Sequence, residues 1–233
     1  MIVAENLTKR FGPIYALENV SVEIPEGITL VIGPNGGGKS TFLKLIAGIY
    51  RPTSGKIRVF GKDPWSNKEI KKHIGFSFDP PAFPNFITGR EWLQIFSYEK
   101  GNDESHVEEI SKIFGINFLD MRIDKYSSGM RKLLSIAQAF IGNPKLIVLD
   151  EPFSGLDFKN IPRITRIIKE FSELGSNFVI VSHIWEPLFP IADWIVMIAG
   201  GKITLYGPAE TTINKVRRIV MRAFSIERKE FRQ

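Results

Sequence analysis

One glycine-rich segment constrains the fold of this chain more than any other feature of its sequence. Residues 33–41, which read GPNGGGKST, follow the apolar run Ile28–Ile32 and precede a helix-forming stretch at residues 42–47. Glycines let consecutive backbone amides turn to one side of a loop, and the N-terminus of the next helix adds partial positive charge there. The sequence therefore predicts a strand, an anion-binding loop and a helix in direct succession.

The same segment matches the phosphate-binding pattern GxxxxGK[ST]. In this pattern the ammonium group of Lys39 reaches the β- and γ-phosphates of ATP and acts in catalysis, and the hydroxyl group of Ser40 is a ligand of Mg²⁺. The alternative is a glycine-rich turn with a surface lysine, which the flanking strand and helix disfavour. The predicted phosphate-binding residues are Asn35, Gly36, Gly37, Gly38, Lys39, Ser40 and Thr41.

Two acidic residues, Asp150 and Glu151, stand at the end of a second apolar run, residues 145–149. Carboxylates at the end of a buried strand cost free energy unless a cation or hydrogen bonds meet them. We expect Asp150 to contact Mg²⁺, directly or through water, and Glu151 to be the base that orients the attacking water. The alternative, a strand that exits into solvent at two acids, is disfavoured by the phosphate-binding loop.

A third apolar run, residues 177–182, ends at His183. Parallel α/β sheets place their ligand sites at the carboxyl ends of the strands, so His183 is predicted to steady the γ-phosphate during catalysis. A lone histidine is more often structural, and that is the alternative.

The spacing of apolar runs and helical segments predicts an α/β protein with a mostly parallel sheet. The phosphate-binding pattern at residues 33–41 is typical of the P-loop NTPase (RecA-like) class. Alternating apolar and polar residues at 2–7 and 20–24 predict an additional antiparallel sheet near the N-terminus. Helical periodicity over residues 87–142 indicates a helical subdomain inserted between two parts of the core, residues 1–86 and 143–210. The whole chain, residues 1–233, is predicted to be a single domain.

The net charge of +6 is concentrated in a basic tail at residues 211–233. Such a block is typical of a solvated helix face, with a partner or lipid surface as the alternative. The chain has no cysteine, which excludes disulfides and thiolate chemistry. Neither a secretion signal nor an apolar stretch of about 20 residues is visible, so we expect no direct insertion into a bilayer. The basic residues of the tail are Lys215, Arg217, Arg218, Arg222, Arg228, Lys229 and Arg232.

Residues 126–130, which read YSSGM, indicate the family. They precede a helical run, lie ahead of Asp150, and are similar to the LSGGQ signature of the ATP-binding cassette (ABC) family. The likeness continues through residues 33–41, through SGLD at residues 154–157, and through His183, in the family's usual order. Over essentially its whole length the chain resembles the ATP-binding subunit of an ABC transporter.

The resemblance implies that two cassettes face each other head to tail, as a homodimer or as a heterodimer with another cassette, with ATP and Mg²⁺ between them. Ser127 and Gly129 would contact the γ-phosphate that the opposite subunit binds, and Asp157 would lie at the dimer contact. Phe11 would stack on adenine, with packing inside the N-terminal sheet as its alternative.

The resemblance also implies partners. The helical subdomain would contact transmembrane permease subunits, which places the cassette on the cytoplasmic face of the cell membrane. ATP would close the dimer and hydrolysis would reopen it. The motifs at residues 87–91 and 126–131 look like the exporter group whose membrane subunits are separate chains. Neither the cargo nor the direction of transport follows from the residues.

Two departures from the family pattern bear on the site. Asp79 stands where the family usually has glutamine; aspartate is shorter and has no amide donor, although its carboxylate could still approach Mg²⁺. Pro80 and Pro81 restrict the loop that follows.

The signature itself departs at two positions, with Ser128 in place of glycine and Met130 in place of glutamine. Because Ser127 and Gly129 remain, we expect the contact with the γ-phosphate to survive.

Two other functions are consistent with parts of the sequence. Some cassette ATPases act on ribosomes or DNA, and the pI near 9.4 fits that class. A single cassette without sustained heptads argues against it, and no nucleic acid partner is expected. The other rival is a regulatory module that binds nucleotide without hydrolysis, which the intact Glu151 and His183 disfavour.

Overall fold

The computed structural model describes residues 1–218, which form two β-sheets and the helices packed on them. The strands are β1 Ile2–Phe11, β2 Ile14–Ile24, β3 Ile28–Ile32, β4 Ser54–Val59, β5 Ile74–Ser77, β6 Leu146–Asp150, β7 Asn177–Val181, β8 Trp194–Ala199 and β9 Lys202–Pro208. The helices are α1 Lys39–Ile46, α2 Lys68–Lys72, α3 Gly89–Glu99, α4 Glu104–Phe114, α5 Ser128–Phe140 and α6 Ile161–Glu173, with short 3₁₀ turns at Ile123–Lys125, Phe158–Asn160 and Phe189–Ile191.

The central sheet has the order β5-β6-β7-β3-β8-β9, in which only β9 runs antiparallel to its neighbour. All residues of β3, β6 and β7 are buried, as expected for strands covered on both faces. The predicted α/β fold with a mostly parallel sheet is confirmed. The run predicted at residues 145–149 is shifted by one position, so Asp150 itself closes β6.

Two hydrophobic clusters cover the two faces of this sheet. Along β3, Leu30 belongs to one cluster and the next residue, Val31, to the other, because successive side chains of a strand point to opposite faces. The Val31 face packs against α1 and the N-terminal sheet, whereas the Leu30 face packs against the helices of the middle segment.

The second sheet is antiparallel, with the order β2-β1-β4, as the alternating N-terminal residues predict. Its first two strands extend to a turn at Gly12 and are longer than the runs 2–7 and 20–24 that the alternation indicated. Irregular registers between the strands, for example between Ala4 and Leu7, interrupt the two-residue period, which is why the sequence pattern breaks before the strands end.

Three helices, α3, α4 and α5, lie between β5 and β6, in the segment 87–142 where helices were predicted. Its assignment as a separate subdomain stays a prediction. Residues 209–218 are helical, so the basic tail predicted at 211–233 begins in a helix. Four of its basic residues, Arg222, Arg228, Lys229 and Arg232, lie outside the described residues.

Candidate active site

The loop between β3 and α1 needs glycine for steric reasons. Gly36 and Gly38 have φ angles of 72° and 107°. A Cβ atom on Gly38 would lie 2.4 Å from the carbonyl oxygen of Ala16, and one on Gly33 would lie 1.9 Å from that of Ile198. Gly38 is also the N-cap of α1 and provides no side-chain cap. The first amides of α1 are therefore left for a ligand, as in an anion site at a helix N-terminus.

Lys39 folds over this loop. Its Nζ atom donates hydrogen bonds to the carbonyl oxygens of Gly33 and Pro34, both at 2.9 Å, and the residue is buried. Burial lowers the pKa of Lys39, while Glu151 and Asp150 act in the opposite direction. The ammonium group is thus held at the mouth of the loop by weak partners that phosphate oxygens can replace.

Asp150 is a buried carboxylate without a hydrogen-bond partner. The residue is 1% exposed, and neither carboxylate oxygen is paired within residues 1–218. Burial raises the pKa of Asp150, and the neighbouring Ser40 hydroxyl and Lys44 oppose this only in part. A carboxylate in this position costs free energy unless a cation meets it, so its environment fits a bound metal ion.

Glu151 adopts a backbone conformation that is rare for a side chain with a Cβ atom, with a φ angle of 49°. Its Oε2 atom accepts a hydrogen bond of 2.9 Å from the backbone amide of His183, and the imidazole Nε2 lies 3.4 Å from Oε1. Burial raises the pKa of Glu151, and the His183 amide opposes this. The carboxylate is thus oriented by the neighbouring strand end and has a strengthened affinity for a proton.

A cleft of about 530 Å³ unites most of the predicted site, a volume in the range typical of small-molecule sites. Four other lining residues, Ala16, Ser154, Val181 and Ile184, are not among the predicted site residues. Ser154 follows Asp150 and Glu151 closely in the sequence. Ala16 lies on β2, and its carbonyl oxygen comes close to Gly38 only in the folded chain. The predicted residues that line the cleft are Asn35, Gly36, Gly37, Gly38, Lys39, Ser40, Thr41, Asp79, Asp150, Glu151 and His183.

Asp79 reaches the cleft, but its carboxylate has a partner. The Oδ1 atom lies 2.5 Å from Nζ of Lys132, a buried residue of α5 that sequence analysis did not single out. No group of three or more acidic or histidine side chains within residues 1–218 is arranged to hold a metal ion. A Mg²⁺ ion here would need phosphate and water oxygens in addition to protein ligands, which is its usual mode of binding.

Four predicted residues do not line the cleft, and Phe11 is one of them. It lies near the β1–β2 turn, is 43% exposed, and meets Tyr50 edge-to-face with ring centroids 5.4 Å apart. Its alternative role, packing inside the N-terminal sheet, is wrong because the ring remains at the surface.

The other three are Ser127, Gly129 and Asp157. Ser127 is the N-cap of α5, and Asp157 caps the short turn Phe158–Asn160 by accepting from the amide of Lys159 at 3.1 Å. Gly129 faces the carbonyl oxygen of Gly155, with 3.3 Å to an added Cβ atom. The signature motif thus lies beside Gly155, and Ser127, Gly129 and Asp157 do not line the cleft of their own chain.

Comparison with known proteins decides the family. A family model described as ABC transporter matches residues 17–154. The chain belongs to the ABC transporter family. The lantibiotic transport ATP-binding protein SrtF of Streptococcus pyogenes is 35% identical over 207 residues, which cover 88% of this cassette and 90% of the relative. The bacitracin transport ATP-binding protein BcrA of Bacillus licheniformis is 32% identical over 208 residues, covering 87% and 68%.

Solved structures agree with this cassette fold. MJ0796, described as a bacterial ABC transporter cassette in a dimeric structure, matches with a TM-score of 0.83 and 26% identity, covering 90% of this chain and 99% of that one. The P-loop fold and the prediction of an ATP-binding transporter subunit are thereby confirmed. No helix in the described part of the cassette combines the length and apolarity needed to cross a membrane.

Proposed function

We propose that this cassette hydrolyses ATP with Mg²⁺ in the cleft and uses the cycle to drive separate transmembrane permease subunits. The observation that carries the proposal is the Asp150 carboxylate, which has no hydrogen-bond partner among the described residues, beside the uncapped N-terminus of α1. One end of the cleft requires a cation and the other an anion, and a metal–triphosphate complex supplies both.

The loop, Lys39, Ser40, Asp150, Glu151 and His183 then have separate roles in ATP turnover. The loop amides and Lys39 bind the phosphates, and Ser40 and Asp150 hold Mg²⁺, which neutralises charge on the phosphate oxygens. Glu151 accepts a proton from the attacking water, because its carboxylate is oriented by the His183 amide and burial raises its pKa. His183, at the cleft rim, donates a hydrogen bond to the γ-phosphate.

A second cassette completes the site in this proposal. Ser127, Gly129 and Asp157 lie outside the cleft of their own chain, so they reach a nucleotide only across an interface. Support comes from MJ0796, which has structures described as dimeric and as a post-hydrolysis state bound to ADP and Pi. Phe11, exposed at the β1–β2 turn, is proposed to stack on adenine.

The transport role is proposed from the relatives. The names of SrtF and BcrA describe ATP-binding proteins for lantibiotic and bacitracin transport. Together with the motifs at residues 87–91 and 126–131, they support an exporter-type cassette at the cytoplasmic face of a membrane, with permease subunits on other chains. CysA of Synechocystis, 32% identical over 216 residues, is named for sulfate/thiosulfate import, so the names do not agree on cargo or direction.

The substitution Asp150→Asn tests the nucleotide part of the proposal. It removes a buried unpaired charge, so we expect a higher melting temperature without ligand and a loss of the Mg²⁺ dependence of ATP-analogue binding. Asp193→Asn is the matched control: its Oδ2 accepts a hydrogen bond from the Ile28 amide at 2.8 Å, so this change lowers stability and leaves Mg²⁺ dependence intact. Retained Mg²⁺ dependence in Asp150→Asn would overturn the metal assignment.

Purification from native membranes tests the transport part. The tagged cassette, solubilised in mild detergent, should co-purify with a polypeptide that has several membrane spans. Stimulation of its ATPase by DNA or ribosomes, without such a partner, would instead support the nucleic acid alternative.

A further inference from the structure

An ion pair joins the wall of the ATP cleft to the start of α5. Nζ of Lys132 lies 2.5 Å from Oδ1 of Asp79. The Lys132 side chain is 3% exposed, whereas that of Asp79 is 33% exposed. Within residues 1–218, Asp79 is the only group at hydrogen-bond distance from this ammonium. Lys132 therefore depends on Asp79 for compensation of its charge more than Asp79 depends on Lys132.

This difference in burial favours a position of the Asp79 carboxylate beside Lys132. A buried ammonium that loses its only partner is left as an uncompensated charge, which is far more costly than an exposed carboxylate that loses its own. If Asp79 turned towards a metal ion, Lys132 would remain buried and unpaired close to a second cation. An uncharged side chain at position 79 would leave no such charge behind.

The pair also lies within electrostatic reach of the metal side of the cleft. Asp79 raises the pKa of Asp150 and Lys132 lowers it. Because the charges of Asp79 and Lys132 have opposite signs, their ion pair changes the electrostatic potential at Asp150 less than either residue alone would. Loss of one partner would therefore change the affinity of the cleft for a cation.

We propose that Lys132 is a positioning residue that holds the Asp79 carboxylate away from the metal, so that Asp150 and Ser40 bind Mg²⁺ without Asp79. The inference rests on the proposed function and replaces the expectation that Asp79 is itself a ligand. Asp79 then serves as the counter-ion of a buried lysine.

The test measures how binding of a fluorescent, non-hydrolysable ATP analogue to the full chain depends on Mg²⁺ concentration. In Lys132→Met the carboxylate is free, so the half-saturating Mg²⁺ concentration should fall about tenfold. In the neutral double variant Asp79→Asn/Lys132→Met it should stay within about twofold of wild type, because no ligand has been lost. Lys132→Arg should retain the wild-type value.

Two outcomes would overturn the inference. If the double variant needs about tenfold more Mg²⁺ than wild type, Asp79 is a metal ligand. If Lys132→Met leaves the Mg²⁺ dependence unchanged, Lys132 does not restrain Asp79. A wild-type chain without any Mg²⁺-dependent binding would contradict the proposed function instead, so the two failures are distinguishable.

Melting temperatures and a control lysine separate a loss of positioning from a loss of packing. Asp79→Asn should lower the melting temperature more than Lys132→Met, because only the former leaves a buried charge unpaired. Lys100→Met removes a partly buried lysine, whose Nζ donates to the carbonyl oxygen of Ile141 at 2.8 Å. It should lower stability without changing the Mg²⁺ dependence, which separates a loss of packing from a loss of positioning.

Discussion

The cleft and the signature motif differ in how their polar groups are satisfied. In the cleft, the Asp150 carboxylate has no hydrogen-bond partner within residues 1–218, and Gly38, the N-cap of α1, provides no side-chain cap. In the signature motif, by contrast, the Ser127 hydroxyl accepts a hydrogen bond of 3.2 Å from the Met130 amide, and nearby Asp157 also caps a turn.

This difference separates two kinds of functional residue. Polar groups of the cleft, such as the Asp150 carboxylate, lack partners within residues 1–218, and a bound ligand would supply them. The cleft residues can therefore bind a ligand within one chain. Ser127 and Asp157 already cap local structure in their own chain. To contact a nucleotide as well, they would need another subunit that presents it. Substitutions in the cleft should therefore change ATP binding or ATP hydrolysis, whereas substitutions in the signature motif should lower turnover and stability together.

The largest expected effect is on turnover, from Glu151→Gln. The amide keeps the shape of the side chain but cannot take a proton, so ATP hydrolysis should fall by about 1,000-fold. Binding of ATP should persist, and the trapped dimer should be visible by size-exclusion chromatography. Glu18→Gln, an exposed position paired with Lys202, is the control and should hydrolyse ATP normally. A Glu151→Gln protein with wild-type turnover would contradict the base assignment.

The next effect is on affinity, from Lys39→Ala. Loss of a charge-assisted contact with the phosphates should weaken ATP binding about 100-fold, as measured by titration calorimetry. Lys71→Ala, at an exposed lysine of α2, should bind ATP like wild type. Equal ATP affinities of Lys39→Ala and Lys71→Ala would show that Lys39 does not bind the phosphates.

How much could be predicted from the sequence depended on distance along the chain. The loop at residues 33–41 and the pair Asp150–Glu151 are contiguous motifs whose geometry is set by the strand and helix beside them. Asp79 and Lys132 lie far apart in the sequence, and only the packing of α5 on β5 reveals their ion pair. Ala16 entered the cleft in the same way, through contact of its carbonyl with Gly38.

The fold shows the same limit. The buried parallel strand β3 was predicted to the residue, and β6 and β7 to within one residue at each end, because a continuous apolar run has clear ends. The hairpin strands β1 and β2 were predicted too short because bulges displace the alternation. The roles of Ser127 and Asp157 as caps depend on backbone geometry, which the resemblance to a family did not address.

A smaller effect is expected in the signature motif, from Ser127→Ala. Loss of the cap should lower the free energy of unfolding by about 1 kcal/mol. Thr88→Ala, which removes the cap of α3, should have a similar effect on stability and is the matched control. Only Ser127→Ala should also reduce ATP turnover, by about tenfold, with unchanged nucleotide affinity in the isolated subunit. If both variants reduce turnover equally, the signature serine acts through stability alone.

The smallest effect should come from Phe11, which lies outside both regions. If its exposed ring stacks on adenine, Phe11→Ala should weaken ATP binding about fivefold, and Phe11→Tyr should retain it. Phe86→Ala is a suitable control because Phe86 is 83% exposed and does not line the cleft. Stacking responds to the base, so inorganic triphosphate should bind equally to wild type and Phe11→Ala. A matching loss of triphosphate binding would mean that Phe11 acts on the loop, through its contact with Tyr50, and not on the base.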